Sequence, residues 1–530
     1  MIRDPIAEGV KHGWDVRDLS KLQGNLHLEA DVVIVGTGAG GGTAAEILSN
    51  AGLKVVMVEA GGLLSSSDFH MLEREAYPLM YQESGNRQTS DKGITILQGR
   101  TVGGSTTVNW TSSFRTPVGT LAYWRKRFGL SDYTPEALAP WFSMMERRLH
   151  VAPWALPPNE NNAVLKRGAE KLGIATAVVP RNVKGCWNLG YCGLGCPTNA
   201  KQSMLVTTIP AALQRGATLL THCRAERFTM GGNSINGLFC EALDERGLRN
   251  TPYTVTIAAK NYIAAGGSIN TPALLLRSDI PNPHQRLGVR TFLHPVAVSA
   301  AVMPEVVDGF AGAPQTVYTD HFLETQPLDG PIGYKLEVPP IYPLQYGSLT
   351  QGFGEKHALL LEDMPHKEVM IALLRDGFND QSEGGSVHLR HDHSPELDYP
   401  INSFVWDGLR RGLLSMAEIQ FAAGAKTVMP LHESAWPYTS WSQARAEIAA
   451  LPMELLLMRV VSAHVMGGCG MGSDERTSVV DGTGRHHQVG NLFVFDGSVF
   501  PTSIGANPQL SIYGVVARNA SLLATAMHGR

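Results

Sequence analysis

The chain has 530 residues, of which 43% are hydrophobic and 17% are charged, and its formal net charge is −4. This composition is typical of a globular protein with more than one structural unit and excludes an intrinsically disordered chain. The small net charge without a long basic run argues against nucleic-acid binding, and the absence of a long uninterrupted apolar run predicts no transmembrane helix.

The N-terminal segment, residues 1–16, lacks the apolar core of a secretory signal peptide. We therefore expect a cytoplasmic location, with peripheral attachment to a membrane left open. In such a reducing compartment, clustered cysteines indicate metal or redox chemistry more than disulfides.

The first predicted elements are a strand, a glycine-rich turn, a helix and a second strand. The apolar run Asp31–Val35 predicts a buried strand, and the helix-forming segment that follows it ends near Gly52. A second apolar run, Val55–Val58, predicts another strand and is followed directly by Glu59. This order predicts a βαβ unit.

The turn of this unit carries the spacing Gly36-x-Gly38-x-x-Gly41. In this pattern the first glycine permits a tight turn, the second lets the backbone approach a pyrophosphate, and the third lets the helix pack on the strand. Glu59 stands where a carboxylate commonly binds a ribose hydroxyl. We interpret the unit as a dinucleotide site, although the motif alone does not separate FAD from NAD.

Segments of the βαβ type bracket a central block of different character, and the remaining predicted elements belong to that block or follow it. In chain order they are helices over about 123–150 and 161–172, a β-rich segment over about 217–265, irregular strands between about 295 and 365, a helix ending at Gly424, and a helix over 509–528.

Four segments resemble signatures of the glucose–methanol–choline (GMC) oxidoreductases, in the order in which the family carries them: residues 97–117, 261–280, 462–472 and 491–520. The resemblance implies an α/β (α+β) two-lobed fold, with a Rossmann-like FAD-binding lobe and a substrate lobe on an antiparallel sheet.

The resemblance also implies the domain boundaries. We expect the FAD-binding lobe over residues 25–295, with insertions at about 120–205 that contribute to the substrate lobe. The substrate-binding lobe is expected over 296–455. The chain would then return to the FAD lobe, with the catalytic residues, over 456–530.

Further cofactor-binding residues are implied by positions that match the family. Gly103, Gly104 and Asn109 are expected along the flavin ring, and Ala225 at the adenine. Ala264 and Gly266 are expected at a second pyrophosphate turn, and Asp496, Gly497 and Pro508 at a late contact near the ring. The pair Asn507–Pro508 predicts an N-cap and a first-turn proline for the last helix, whose positive end would face the flavin. Thr107 and Val108 stand where some members carry a histidine that bonds FAD, so we expect non-covalent FAD.

The family's catalytic pair matches His464 and Asn507. Alcohol oxidation by a flavin needs loss of the hydroxyl proton and hydride transfer to N5. A histidine with a pKa near 6.5 suits the proton transfer, and an asparagine amide suits the orientation of the oxygen. We predict FAD-dependent oxidation of an alcohol to an aldehyde or ketone. The alternatives are an oxygen-reducing alcohol oxidase and a lyase of the GMC fold without redox turnover.

The substrate region, from about 301 to 432, is rich in Pro, Tyr, Leu and Met. This composition favours a sizeable, partly apolar alcohol over a free sugar. Segments 384–401 and 417–430 also resemble the branch of the family that holds long-chain alcohol oxidases.

Three of the six cysteines, Cys186, Cys192 and Cys196, lie within Gly185–Ala200. Their spacing resembles the segment with which bacterial FAD-dependent glucose and fructose dehydrogenases hold a 3Fe–4S cluster, and three thiolates suit a cluster that lacks one iron. A cluster would pass electrons to a cytochrome, a quinone or a small partner subunit, which favours a non-oxygen acceptor. Packed thiols and a Cys192–Cys196 disulfide remain open alternatives.

Overall fold

The structure is a computed structural model that describes residues 2–323 and 327–528. Its α-helices are α1 (Pro5–Lys11), α2 (Ala39–Asn50), α3 (Glu73–Met80), α4 (Ser105–Val108), α5 (Val118–Phe128), α6 (Pro135–Arg148), α7 (Glu160–Lys171), α8 (Thr208–Gln214), α9 (Gly267–Arg277), α10 (Pro343–Leu349), α11 (Glu355–Glu362), α12 (Ser403–Ala423), α13 (Trp441–Ala450) and α14 (Gln509–His528). Its strands are β1 (Val16–Asp18), β2 (Leu26–Val35), β3 (Val55–Val58), β4 (Arg87–Gln88), β5 (Ile94–Ile96), β6 (Val151–Pro153), β7 (Ala177–Val178), β8 (Pro180–Asn182), β9 (Thr218–Thr221), β10 (Cys223–Gly231), β11 (Ser234–Leu243), β12 (Asn250–Ala264), β13 (Val289–Phe292), β14 (Val296–Val302), β15 (Val317–Thr319), β16 (Tyr334–Glu337), β17 (Lys367–Leu374), β18 (Gly385–Leu389), β19 (Pro395–Asp398), β20 (Thr427–Pro430), β21 (Val460–Ser462), β22 (Met466–Gly467) and β23 (Leu492–Val494).

The predicted elements agree with the structure where the local signals are strong. Strand β3 and helix α14 have the predicted bounds, and α12 ends at Gly424, which is left-handed with φ 103°. The predicted helix over 123–150 is instead two helices. Gly129 ends α5 in a left-handed conformation, and the Thr134 side chain caps α6 by accepting a hydrogen bond from the backbone N–H of Ala137.

The first sheet has the strand order β1-β9-β3-β2-β12-β11-β10, with β23 beside the end of β12. Strands β3, β2, β12 and β23 are parallel neighbours, so their carboxyl ends meet at one edge. All four residues of β3 and the last four of β2 are buried, as expected for strands covered on both faces. Helices α2 and α14 pack against each other beside this sheet. This unit confirms the predicted Rossmann-like lobe.

The second sheet has the order β4-β5-β21-β14-β17-β16-β15-β7, with β20 beside β14. Its strands are antiparallel except for the parallel pair β21 and β5. Side chains of β14 and β17 alternate between two faces. One face packs on α12, and the other presents apolar residues away from that helix.

Sheet membership crosses the predicted domain boundaries. Strand β1 lies before residue 25 yet extends the first sheet through β9. Strands β4, β5 and β21 belong to the second sheet, although they lie outside both residues 296–455 and the insertion at about 120–205, whereas β7 lies within that insertion. The chain therefore passes between the lobes several times, and the turn after β21 lies at their junction. Within the ranges described, no helix is both long enough and apolar enough to cross a membrane.

Candidate active site

A cavity of about 850 Å³ is bordered by residues of both sheets. The turns that follow β2, β3, β12 and β23 carry Gly36, Glu59, Gly266 and Asp496 to its wall. These four turns lie at the carboxyl edge of neighbouring parallel strands, which is where ligands bind in open α/β sheets.

Most of the predicted site residues line this cavity: Gly36, Gly38, Glu59, Gly104, Asn109, Ala225, Gly266, His464, Asp496, Gly497, Asn507 and Pro508. Apart from the three clustered cysteines, three predicted residues do not border it. Gly41 packs α2 onto the turn, since a Cβ there would lie 1.9 Å from the Gly36 carbonyl oxygen. Gly103 donates its N–H to Thr37 Oγ1 at 3.0 Å, and Ala264 is buried at the end of β12. These three support the wall from behind.

The glycine turn has the geometry of a phosphate cradle. Gly36 has φ +99°, and a Cβ there would lie 2.3 Å from the Ala265 carbonyl oxygen, so only glycine fits. Gly104, with φ +52°, brings its α-carbon against Gly38, since its Cβ would lie 2.8 Å from the Gly38 Cα. No side chain caps the N-terminus of α2, so its first N–H groups remain available beside the cavity. These features fit a dinucleotide pyrophosphate.

Glu59 is held rigidly at the cavity wall. Its Oε2 accepts hydrogen bonds from the Thr37 N–H at 3.1 Å and the Thr37 hydroxyl at 2.7 Å, and its Oε1 accepts from the Gly61 N–H at 3.0 Å. Burial raises the pKa of this carboxyl, and these hydrogen bonds oppose the rise. The carboxylate is thus fixed in place beside the glycine turn.

Asp496 ties two turns of the cavity wall together. Its Oδ2 accepts from the Gly267 N–H at 2.8 Å and the Thr271 hydroxyl at 2.6 Å, both at the start of α9. Its Oδ1 accepts from the N–H and the hydroxyl of Ser498. Burial raises its pKa and the hydrogen bonds oppose the rise. Asp496 therefore shapes the wall as well as lining it.

His464 and Asn507 meet at the junction of the two lobes. His464 follows β21, Asn507 precedes α14, and His464 Nε2 lies 3.5 Å from Asn507 Nδ2. Burial first, and then the charge of Lys335, lower the pKa of His464 to about 3. The pKa near 6.5 that the sequence led us to expect for His464 is therefore too high. The imidazole is therefore neutral near pH 7, with one ring nitrogen free to accept a hydrogen bond.

The surroundings of Asn507 were not predicted from the sequence. Its Nδ2 donates to Glu337 Oε2 at 3.1 Å, and its Oδ1 is buried and has no hydrogen-bond partner among the described residues. The predicted N-cap role is therefore wrong, because no α14 N–H donates to this side chain. A buried, unpartnered oxygen on the cavity wall is suited to accept a hydrogen bond from a ligand.

The sequence also did not predict His294, which neighbours His464, or Lys335, which neighbours Glu337. His294 Nδ1 lies 3.1 Å from His464 Nδ1, and Glu337 pairs with Lys335 at 3.3 Å. Side chains two residues apart on a strand point to the same face, so the sequence could have indicated that Lys335 and Glu337 share one face of β16. No local pattern indicated that this face is buried beside His464.

The far end of the cavity is apolar. Its wall is formed by side chains of β14, β17 and nearby segments: Val296, Val298, Ile341, Leu349, Val369, Ile371, Leu373, Leu431 and Val461. Most of them lie in the region 301–432 that was expected to line the substrate cavity. Val296, Val298 and Val461 lie outside that region and enter because β14 neighbours β21.

The three clustered cysteines are free, partly buried thiols that form no disulfide. Cys186 accepts a hydrogen bond from the Asn188 N–H, Cys192 contacts Arg181 Nη2 at 3.6 Å, and Cys196 accepts from the Lys201 N–H. Across residues 2–323 and 327–528, no three His, Cys, Asp or Glu side chains are placed to hold a metal ion. The described side chains therefore offer no group placed to hold the predicted 3Fe–4S cluster.

The cysteine loop instead supports the wall of the cavity. The buried Lys201 Nζ donates to the carbonyls of Cys192 at 2.6 Å, Thr107 at 2.6 Å and Asn109 at 2.9 Å. These bonds join the loop to the segment that precedes and includes Asn109. The loop thus buttresses a predicted flavin contact.

Two family models, both described as GMC oxidoreductase, match the chain, the N-terminal model over residues 77–296 and the C-terminal model over 380–515. A long-chain-alcohol oxidase from Arabidopsis thaliana is 29% identical over 92% of this chain, and the match spans 65% of the oxidase's own length. An uncharacterised GMC-type oxidoreductase from Mycobacterium tuberculosis is 31% identical over 91% of this chain and 74% of its own length.

Solved structures of similar fold include pyridoxine 4-oxidase from Mesorbium loti, with a TM-score of 0.68, 16% identity, and coverage of 94% of this chain and 99% of that one. A formate oxidase from Aspergillus oryzae also has a TM-score of 0.68, with 15% identity over 96% of this chain and 100% of that one. At these identities the likeness concerns the fold. Because the two family models together cover more than half of the chain, it belongs to the GMC oxidoreductase family.

Proposed function

We propose that the protein oxidises an alcohol to an aldehyde or ketone, with His464 as the base that accepts the hydroxyl proton. The observation that carries this proposal is the position of a neutral His464 beside Asn507 in a cavity that also contains a dinucleotide cradle. A lyase of the same fold is the alternative that the motifs alone leave open.

The chain's residues divide the work as follows. The turn at Gly36 and the N-terminus of α2 would hold the pyrophosphate of FAD, Glu59 its ribose, and the segment Gly104–Asn109 its ring. When bound there, FAD would supply the acceptor for the hydride of the alcohol carbon. His464 Nε2 receives the hydroxyl proton, and Asn507, whose NH₂ group faces Glu337 and His464, holds these two side chains in position beside the substrate. Ala225, Gly266, Asp496, Gly497 and Pro508 would complete the cofactor wall.

For the substrate, we propose an alcohol with a long or bulky apolar tail. The apolar wall over β14 and β17 supports this choice, as does the similarity to long-chain-alcohol oxidases. A free sugar would leave its hydroxyl groups unpaired against these side chains, which is costly.

We expect straight-chain primary alcohols to bleach the yellow flavin under anaerobic conditions, and glucose at the same concentration to leave it oxidised. Each buried methylene contributes ~0.8 kcal/mol, so the dissociation constant should fall about fourfold per added CH₂ until the wall is filled. Anaerobic titrations followed by absorbance measure both quantities. Cleavage of a cyanohydrin without bleaching by any alcohol would instead favour the lyase.

We further propose molecular oxygen as the electron acceptor. The similarity to long-chain-alcohol oxidases supports this choice. The prediction of a cytochrome, quinone or partner subunit depended on an iron–sulfur cluster, and the described side chains include no group placed to hold one. We expect purified protein to contain no stoichiometric iron, and Cys192→Ser to reoxidise in air as fast as the unmodified protein. About three iron atoms per chain, together with slower delivery to one-electron dyes in Cys192→Ser, would restore the cluster and the dehydrogenase.

The cofactor is expected to be bound without a covalent link. The side chains at Thr107 and Val108 offer no imidazole, and the two residues are buried in α4. After acid precipitation, the yellow colour should therefore appear in the supernatant. Colour that stays in the pellet would show a covalent bond from another residue.

A further inference from the structure

A buried ion pair lies behind the His464–Asn507 pair. The side chains of Lys335 and Glu337 are 1% and 0% exposed, and Lys335 Nζ lies 3.3 Å from Glu337 Oε1. The ammonium also lies over the ring of Phe114, at 3.2 Å from its centroid. A buried pair costs desolvation and commonly adds little net stability, so its presence beside a reactive centre suggests a role other than stability.

Glu337 determines which way the Asn507 amide points. Its Oε2 accepts from Gln315 Nε2 at 2.6 Å and from Asn507 Nδ2 at 3.1 Å, while Ser112 donates to Gln315 Oε1 at 2.6 Å. An ionised carboxylate can only accept hydrogen bonds. The charge of Lys335 favours that ionised form, so the NH₂ group of Asn507 must face Glu337.

The orientation of Asn507 then sets the tautomer of His464. The amide NH₂ that faces Glu337 also faces His464 Nε2 at 3.5 Å, so Nε2 must be the acceptor and the proton must reside on Nδ1. That Nδ1–H donates to His294 Nδ1 at 3.1 Å. The remaining proton of His294 lies on its Nε2, which is buried and has no hydrogen-bond partner in the part of the chain described.

We propose that Lys335 and Glu337 are positioning residues that keep His464 in the tautomer with an unprotonated Nε2. Only this tautomer can accept the proton of an alcohol, so the inference rests on the proposed function. A protonated Glu337 would donate to Asn507 Oδ1, and the amide would turn over. Its oxygen would then face His464, whose Nε2 would carry the proton and could no longer act as a base.

The direction of the pH dependence follows from the groups around Glu337. They are Lys335, Asp320, Tyr318 and, through Asn507, His464 and His294. Burial raises the pKa of Glu337 and Lys335 lowers it, so removal of Lys335 raises it further. In Lys335→Met the carboxyl is therefore protonated at low pH and ionises only as the pH rises.

The test compares Lys335→Met and Glu337→Gln with Glu368→Gln as a matched control, all as FAD-bound proteins. Glu368 is a buried carboxyl on the neighbouring strand β17, and it bonds to Gln420 away from the cavity. The readouts are the pH profile of flavin reduction by alcohol, substrate dissociation constants, and ¹⁵N NMR of labelled histidines. The His464 signal is identified by its loss in His464→Ala.

We expect Lys335→Met to reduce flavin about 10²-fold more slowly at low pH and to recover as pH rises, with substrate affinity changed less than about threefold. Glu337→Gln should be slow at every pH, because it cannot titrate. In both variants the NMR signal should move from the Nδ1–H to the Nε2–H tautomer, while Glu368→Gln behaves as the unmodified protein.

Two results would overturn the inference: an Nδ1–H signal retained in both variants, or reduction rates equal to those of Glu368→Gln. If Lys335→Met does not fold, as judged by its FAD content, the isosteric Glu337→Gln decides alone. Failure of the proposed function has a different signature. In that case no alcohol bleaches the unmodified protein, while the tautomer shift between variants is still observed.

Discussion

His464→Ala is expected to lower the rate of flavin reduction by alcohol about 10²–10⁴-fold, the range typical of losing a general base. The His464 side chain lines the cavity beside Asn507. It is the one proton acceptor that we assign to the reaction. FAD content should remain close to one per chain, because the cofactor cradle lies on other turns. Anaerobic stopped-flow absorbance measures the rate.

The control for this variant is His486→Ala. His486 is also buried, and burial lowers its pKa to about 4, but it bonds to the backbone N–H groups of Gln488 and Val489 and does not line the cavity. We expect it to lose stability without slowing reduction per bound FAD. Equal rates for His464→Ala and the unmodified protein would assign the base to another residue.

The pKa of His464 also predicts the shape of the pH profile. Because burial and Lys335 hold that pKa at about 3, the imidazole stays neutral as the pH falls through 6.5, where an ordinary histidine becomes charged. Reduction by the free enzyme should therefore show no loss near pH 6.5 that requires His464. A loss that persists in Glu337→Gln and lies near pH 6.5 would contradict the lowered pKa.

The second large effect is expected for Gly40→Ala. Gly40 lies in the first turn of α2, and a Cβ there would lie 1.6 Å from the carbonyl oxygen of Phe495, directly after β23. The contact is with a backbone carbonyl, which cannot rotate away as the end of a flexible side chain can. Helix α2 must therefore move away from the end of β23. Overpacking of this kind costs about 1–3 kcal/mol or more, and it displaces the N–H groups of the phosphate cradle.

We therefore expect Gly40→Ala to lose FAD and to unfold at lower denaturant concentration, as measured by flavin absorbance per chain and by urea titration. Gly119→Ala is the matched control, because Gly119 also lies in the first turn of a helix, α5, and no atom of another described segment lies within 4 Å of its added Cβ. Helix propensity alone should make that change neutral or stabilising by up to about 1 kcal/mol. Full FAD occupancy in Gly40→Ala would show that α2 and β23 separate easily.

Local patterns in the sequence predicted the Rossmann-like part of the fold well. The four-residue strand β3 and the helix α14 were predicted with their observed bounds, since a short apolar run and helical periodicity depend on neighbours a few residues apart. The split between α5 and α6 was also encoded, by Gly129 and the Thr134–Pro135 pair, although the prediction overlooked it. The family resemblance supplied the pairing of His464 with Asn507.

The sequence by itself thus determined the glycine turn and the acid after β3, because each belongs to a short motif with its own geometry, while the family resemblance selected His464 and Asn507. Only the tertiary structure decided which polar groups surround that pair. The contacts from His294 to His464 and from Glu337 to Asn507 each join residues 170 positions apart. Lys335 and Glu337 are buried because the two sheets pack together. No sequence pattern within one segment predicts the electrostatic environment that this packing creates.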